Sequence, residues 1–256
     1  MSRMATSDPT HTALSTSCWV YAVVDETTAL PDDLHGVGDA PVRLVALDGI
    51  AAVVGDVDLD QLGGGRHDLL AHHKVLERLQ ELDAVVPIQF GSVLDDEETV
   101  REGLLREQEG LLRETLESLR GRVQLNLRAR YVEDVVLAEV VRDDPEVAAL
   151  RRVTRDESEE ASYGDRVRLG QLVSRAVERK REDDSSWLLD QVLPLSEAYS
   201  LRESSGTDLL DVALLVDADR QPELEGLLEN LAEGAHERIR LQLMGPVVPL
   251  DFAGGI

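Results

Sequence analysis

Three histidines, His67, His72 and His73, are the residues of this chain whose types first suggest chemistry, either as metal ligands or as an acid–base cluster. Their spacing argues against both. Ligands that share one face of a helix sit three or four residues apart. Here the intervals are five and one, and adjacent helical side chains point about 100° apart. The expectation is one histidine packed against a sheet and another at the rim, with no metal. Gly63, Gly64 and Gly65 are not followed by the Lys-Ser or Lys-Thr of a phosphate loop and read as a flexible linker. No serine sits in a G-x-S-x-G elbow, and Cys18 falls inside an apolar run where a thiol is inert core. The acidic runs Asp95 to Glu98 and Asp156 to Glu160 lack the glycine and spacing of a calcium loop. With no nucleophile, base or ligand set assembled, the expectation is a protein that is not an enzyme, with no cofactor and no catalytic residue.

The bulk composition fits a binding role. The 256 residues are 43% hydrophobic, and 51 acidic against 26 basic residues give a net charge of −25. Such a charge repels a phosphate backbone, so nucleic acid is excluded as a partner, and it keeps a protein soluble while it holds something apolar. One cysteine forms no internal disulfide, which points to a reducing cytoplasm. No apolar stretch approaches the ~20 residues of a membrane span, and residues 1 to 17 lack a signal-peptide core and read as a disordered tail.

The elements that would position these residues follow from periodicity. Cys18 to Val24 is a short β-branched and aromatic strand. Val42 to Leu47 and Ile50 to Val54 flank Asp48-Gly49, a hairpin signal because both turn residues tolerate positive φ. Leu69 to Leu82 is an amphipathic helix, Pro87 to Phe90 a strand closed by Gly91, and 95 to 119 a helix with an acidic start and the stripe Val100, Leu104, Leu105, Leu111, Leu112, Leu116 and Leu119. Val123 to Tyr131 alternates as a half-buried strand, with Gln124, Asn126 and Arg128 on its polar face. Residues 133 to 205 are helix-prone throughout, with stripes at Leu169, Leu172, Val173, Ala176 and at Leu188, Val192, Leu195, Tyr199. Leu209 to Val216 is a strand, Pro222 to Ala232 a helix, Ile239 to Met244 a strand, and the chain ends in a loop. The order of elements predicts an α+β fold of two split-βαβ (ferredoxin-like) sandwiches with helices on one face, a first domain at 18–120 and a second at 121–256 that carries a helical insertion at about 133–205.

Two segments carry a resemblance. Residues 75 to 100, VLERLQELDAVVPIQFGSVLDDEETV, place a helix before a proline, a phenylalanine-glycine pair and an acidic helix start. The ending MGPVVPLDF, Met244 to Phe252, has a glycine-proline, a second proline and a phenylalanine. Both resemble the gas vesicle protein L/F family, as do Tyr21 in an opening strand and a histidine before the first core helix. Departures are Gln89, where the family more often has arginine, and an ending made aliphatic by Val247, Val248 and Leu250.

The resemblance implies a cytoplasmic or vesicle-bound accessory protein of gas vesicle assembly that binds the small hydrophobic shell protein and other gas vesicle accessory proteins. It singles out Pro87, Gln89, Phe90, Gly91, Gly245, Pro246, Pro249 and Phe252 as partner-binding or motif positions. The N-terminal sandwich, with its edge strand and the Pro87 to Gly91 region, is expected to carry much of the contact. The alternative from composition and fold alone is a ligand-sensing regulatory α+β module, because such sandwiches host many ligand sites.

Overall fold

The computed structural model describes residues 17–59, 63–156, 158, 161–203, 208–235 and 237–254. The tail expected at 1–17 lies outside these except for Ser17, which opens the first strand; Gly63 to Gly65 are described, the residues just before them are not. The chain divides into two compact units, one reaching Arg120 and joined by the chain end from Ala253, the other Gly121–Phe252.

The first unit is built on β1 (Ser17–Asp25), buried along nearly its whole length. Its partners are β3 (Ile50–Val57) on one side, with β2 (Val42–Leu47) beyond it, and on the other β4 (Val86–Pro87) and β5 (Val93–Leu94), all antiparallel. Asp48 and Gly49 turn the β2–β3 hairpin with φ of 48° and 97°, as a type I′ turn requires. The β1–β3 register slips between Val20 and Ala22, leaving Tyr21 as an extra residue in a β-bulge. Helix α1 (Arg66–Gln80) lies on the Trp19 face and buries His72, Val75, Leu76 and Leu79 at helical spacing. On the opposite face Cys18 meets Arg43, whose guanidinium pairs with Asp56 at 2.7 Å and Glu97 at 2.9 Å. Glu97 belongs to α2 (Glu97–Thr99), so the segment after β5 crosses back beneath β1 and β3 to reach β2. Helical cover therefore lies over both faces of this sheet, where one face was expected, and a loop with a single 3-10 turn, Val37–Asp39, replaces a helix between β1 and β2.

The second unit runs β6 (Arg122–Tyr131), α4 (Glu133–Asp143), α5 (Pro145–Asp156), α6 (Tyr163–Val192), β7 (Ala198–Leu201), β8 (Asp208–Asp217), α7 (Gln221–Ala235) and β9 (Ile239–Val247). Its sheet is antiparallel in the order β7-β8-β6-β9. The odd residues of β6, Leu125 to Tyr131, join Leu210, Val212, Leu214 and Val216 of β8 in a core closed by Leu188 and Val192 of α6 and Leu224 and Leu228 of α7. A smaller cluster of Val140, Val147 and Ala176, flanked by Leu169, Leu172 and Val173, ties α4, α5 and α6 together.

Four sequence expectations need correction. The strand through Phe90 is broken, because Gln89 to Ser92 forms a turn between β4 and β5. The helix at 95–119 is not continuous: α2 runs into a π-helical segment, Val100–Arg106, and α3 (Glu109–Leu119) starts afresh after Gln108 leaves helical φ/ψ. Gly103 and Gly110 weaken the run, and the break leaves Leu111 49% exposed while Leu112 is buried. Tyr199 belongs to edge strand β7, not to a helical stripe, since Pro194 sits in a 3-10 turn that ends the helix and Tyr199 pairs with Leu214. The ending is not all loop, as β9 continues through Gly245 and Pro246 to Val247.

Candidate functional site

The first group of singled-out residues surrounds the turn between β4 and β5. Pro87 is buried opposite Ala22, and its neighbour Ile88 donates its N–H to the Tyr21 carbonyl at 2.9 Å. The chain then leaves the sheet. Ser92 N–H donates to the Gln89 carbonyl at 3.2 Å and Gly91 adopts φ 90°, the geometry of a type II turn with glycine where φ must be positive. Pairing resumes when Val20 N–H reaches the Ser92 carbonyl at 2.9 Å. Gln89 and Gly91 are exposed at the tip, and Phe90 is half-buried.

What holds the tip is a cluster of rings. The Phe90 ring lies edge-on to Trp19 at 5.3 Å and to His72 at 5.6 Å, and Tyr21 lies 5.4 Å from His72, within the range where such pairs attract beyond their buried area. Trp19 Nε1–H donates to His72 Nδ1 at 2.9 Å. Since an indole nitrogen only donates, Nδ1 is the acceptor and the other ring nitrogen carries the proton, which bonds the backbone of Ile88. Burial pushes the His72 pKa down to about 4, against the pull of that backbone bond. Tyr21 fills a slot between two glycines: its hydroxyl accepts from Val37 N–H at 2.8 Å, and burial pushes its pKa up to about 12. Cys18, on the other face, has its thiol pKa raised by burial, as an inert core thiol should.

The other two histidines go elsewhere. His67 is 90% exposed beside Asp68, and His73 lies half-exposed 3.6 Å from Glu77. Among the described residues no three His, Cys, Asp or Glu side chains assemble as a metal site.

The second group lies in the other unit. Gly245, exposed, takes φ 138° where β9 leaves its register with β6, and a Cβ there would stand 2.8 Å from Leu125 Cδ2 and 2.9 Å from the Gln124 carbonyl. Pro246 is exposed; Pro249 is buried and its carbonyl accepts from Phe252 N–H at 3.1 Å, closing a 3-10 turn in which Phe252 is half-buried. That turn is fastened by a residue not singled out from sequence. Asp251 takes two hydrogen bonds from Arg202, at 2.6 and 3.0 Å, and one from Gln124 at 2.6 Å. Arg202 holds the Asp251 carboxyl below the usual carboxylate range, although burial opposes it. Arg202 also reaches Asn126 at 3.0 Å and Asp211 at 3.4 Å, and Arg128 grips Asp211 from the other side. The polar face of β6, legible as Gln124, Asn126 and Arg128, is thus one end of a network over the sheet. The only advance sign of its centre was Asp211 interrupting the apolar run 209 to 216.

Neither group assembles a nucleophile with a base. Each presents a short, glycine-shaped turn braced from within. The family model for gas vesicle synthesis protein GvpL/GvpF matches residues 17–254. The chain belongs to that family. Gas vesicle protein F of Streptomyces sp. (strain CB03234) is 32% identical, with 92% of this chain and 99% of that protein covered. Gas vesicle protein L of the same strain is 27% identical, with 92% of each covered. The crystal structure of the gas vesicle protein GvpF from Anabaena sp. PCC7120 superposes with a TM-score of 0.82 at 20% identity, covering 93% of this chain and 98% of that one. The two share a fold: antiparallel sheets with helical layers in a mixed α+β arrangement. No helix of the described residues is long and apolar enough to cross a membrane.

Proposed function

We propose that this member of the GvpL/GvpF family is a non-enzymatic accessory protein of gas vesicle formation, working in the cytoplasm and at the growing vesicle by binding the hydrophobic shell subunit. The observation that carries the reading is the Gln89 to Gly91 tip. It projects from the edge of the first sheet, exposes a polar amide and a glycine, and keeps Phe90 half-open while Trp19 and His72 hold the ring from behind. An apolar partner surface would complete the burial of Phe90 and cover the interrupted edge of β4 and β5. A shell subunit with an exposed apolar face aggregates before assembly, and a partner of net charge −25 that covers such a face keeps the pair dispersed. Gly245, Pro246, Pro249 and Phe252 are proposed as a second contact, shared with other gas vesicle accessory proteins. The test is to mix purified full-length protein with shell subunit and follow co-migration and turbidity. Binding weakened by Phe90→Ala and by Gln89→Glu, with the melting temperature of the Gln89 variant unchanged, supports the reading; neither co-migration nor suppressed aggregation removes it.

A further inference from the structure

The second unit has an open sheet edge that runs along β9 from Gly245 and Pro246, two residues of the second contact proposed above. β9 is the last strand of its sheet, bonded to β6 on one side. Val132 N–H donates to the Arg238 carbonyl at 2.9 Å, which makes 132 and 238 a hydrogen-bonded pair. Such pairs alternate along an antiparallel ladder, so within the register Arg130↔Arg240, Arg128↔Gln242 and Asn126↔Met244 it is the even residues of β9 that bond β6. The N–H and C=O groups of Leu241 and Leu243 therefore point away from the sheet, toward the open edge. The side chains of the same two leucines are half-buried and line a groove of about 340 Å³ against Leu228 and Ala232 of α7. The rim of that groove is acidic. Glu225 and Glu229 stand on it, α7 contains no lysine or arginine, and Glu225 accepts a hydrogen bond from the neutral amide of Gln221.

We propose that this edge and groove receive an added β-strand: an extended segment of a partner protein that carries apolar and basic side chains together on one face, at every second residue. The outward main-chain groups of Leu241 and Leu243 demand a strand's backbone, since a helix has no free N–H and C=O along its side. The side chains of such a strand that point toward α7 meet Leu241, Leu243 and Ala232 within the groove, which sets them apolar, and Glu225 and Glu229 at its rim, which sets lysine or arginine beside them on that same face. A second copy of this chain fits poorly, because pairing two β9 edges brings two acidic α7 rims together in a molecule already at net charge −25. This surface belongs to the second unit and stands whether or not the shell subunit docks at Gln89 to Gly91.

The experiment uses the full chain and a fluorescent heptapeptide with valines and lysines at its odd positions and serines at its even ones. Two controls accompany it: the same peptide N-methylated at alternate amides, and a version with glutamate in place of each lysine. The expected result is saturable binding of the first peptide, about tenfold weaker or absent for each control, with slowed amide exchange at Leu241 and Leu243. Glu229→Lys, on the exposed face of α7, lowers affinity about fivefold at low salt and leaves the melting temperature in place. The proposal is overturned by absence of binding, by equal binding of the N-methylated peptide, by exchange protection elsewhere, or by a self-associated form of the protein that protects these two amides.

Discussion

Trp19 and His72, 53 residues apart, are joined by a buried hydrogen bond of 2.9 Å from the indole N–H to the imidazole Nδ1. That bond needs a neutral imidazole, because a protonated ring has no lone pair at Nδ1 to accept with. The tie between the first strand and the first helix is therefore tied to pH.

A histidine in the unfolded chain takes up its proton near pH 6.5, whereas His72 in the fold stays neutral down to about 4. Between those values the unfolded state binds more protons, so stability present above pH 6.5 is lost as the pH falls toward 4, by on the order of 3 kcal/mol in total. Urea unfolding of the wild type and of His72→Gln, compared at neutral pH and at about pH 4.5, will show a smaller drop for the variant. Equal drops mean that His72 is not held neutral.

Gly36 has an ordinary negative φ, so its substitution is a purely steric matter. A Cβ there would lie 2.0 Å from the Tyr21 hydroxyl oxygen and 2.5 Å from the ring carbon that bears it. Gly36→Ala is expected to destabilise by about 2 kcal/mol or more, and Tyr21→Phe by about 1–3 kcal/mol because Val37 N–H loses its acceptor. Combining them will not rescue the alanine, since the ring carbon remains in the way. Thermal melts of the three variants check this, and recovery in the double variant contradicts it.

Gly245→Ala meets both backbone and side chain, the Gln124 carbonyl and Leu125, at a φ that alanine rarely adopts. The expected loss is about 3 kcal/mol. Gly226→Ala and Gly234→Ala, in open space within α7, should instead stabilise by about 0.5–1 kcal/mol. Denaturant midpoints decide the signs.

The sequence made legible those features that rest on neighbours in the chain. The β2–β3 hairpin depends on Asp48 and Gly49 alone, and the alternation of Val123 to Tyr131 is local too. Strand β7 was hidden because Leu188, Val192, Leu195 and Tyr199 keep helical spacing, and only pairing with β8 pulls Ala198–Leu201 into the sheet. Phe90 read as a strand residue, since its ring partners come from β1 and α1. At the second site Asp211 was visible as a charge among leucines, but its partner Arg128 sits 83 residues away, a relation that no local pattern encodes.

The extra residue in β1 changes how that strand can be edited. A regular strand sends every second side chain to one face, yet with Tyr21 inserted, Trp19, Tyr21 and Ala22 all face the glycine side, while Val20 and Val23 face the other. Excising Tyr21 or Ala22 would restore an even ladder and keep every other side chain on its present face; excising Trp19, Val20 or Val23 would carry part of the strand onto the wrong face. The chain can be shortened in phase only within this pair, which holds the strand's most deeply anchored ring.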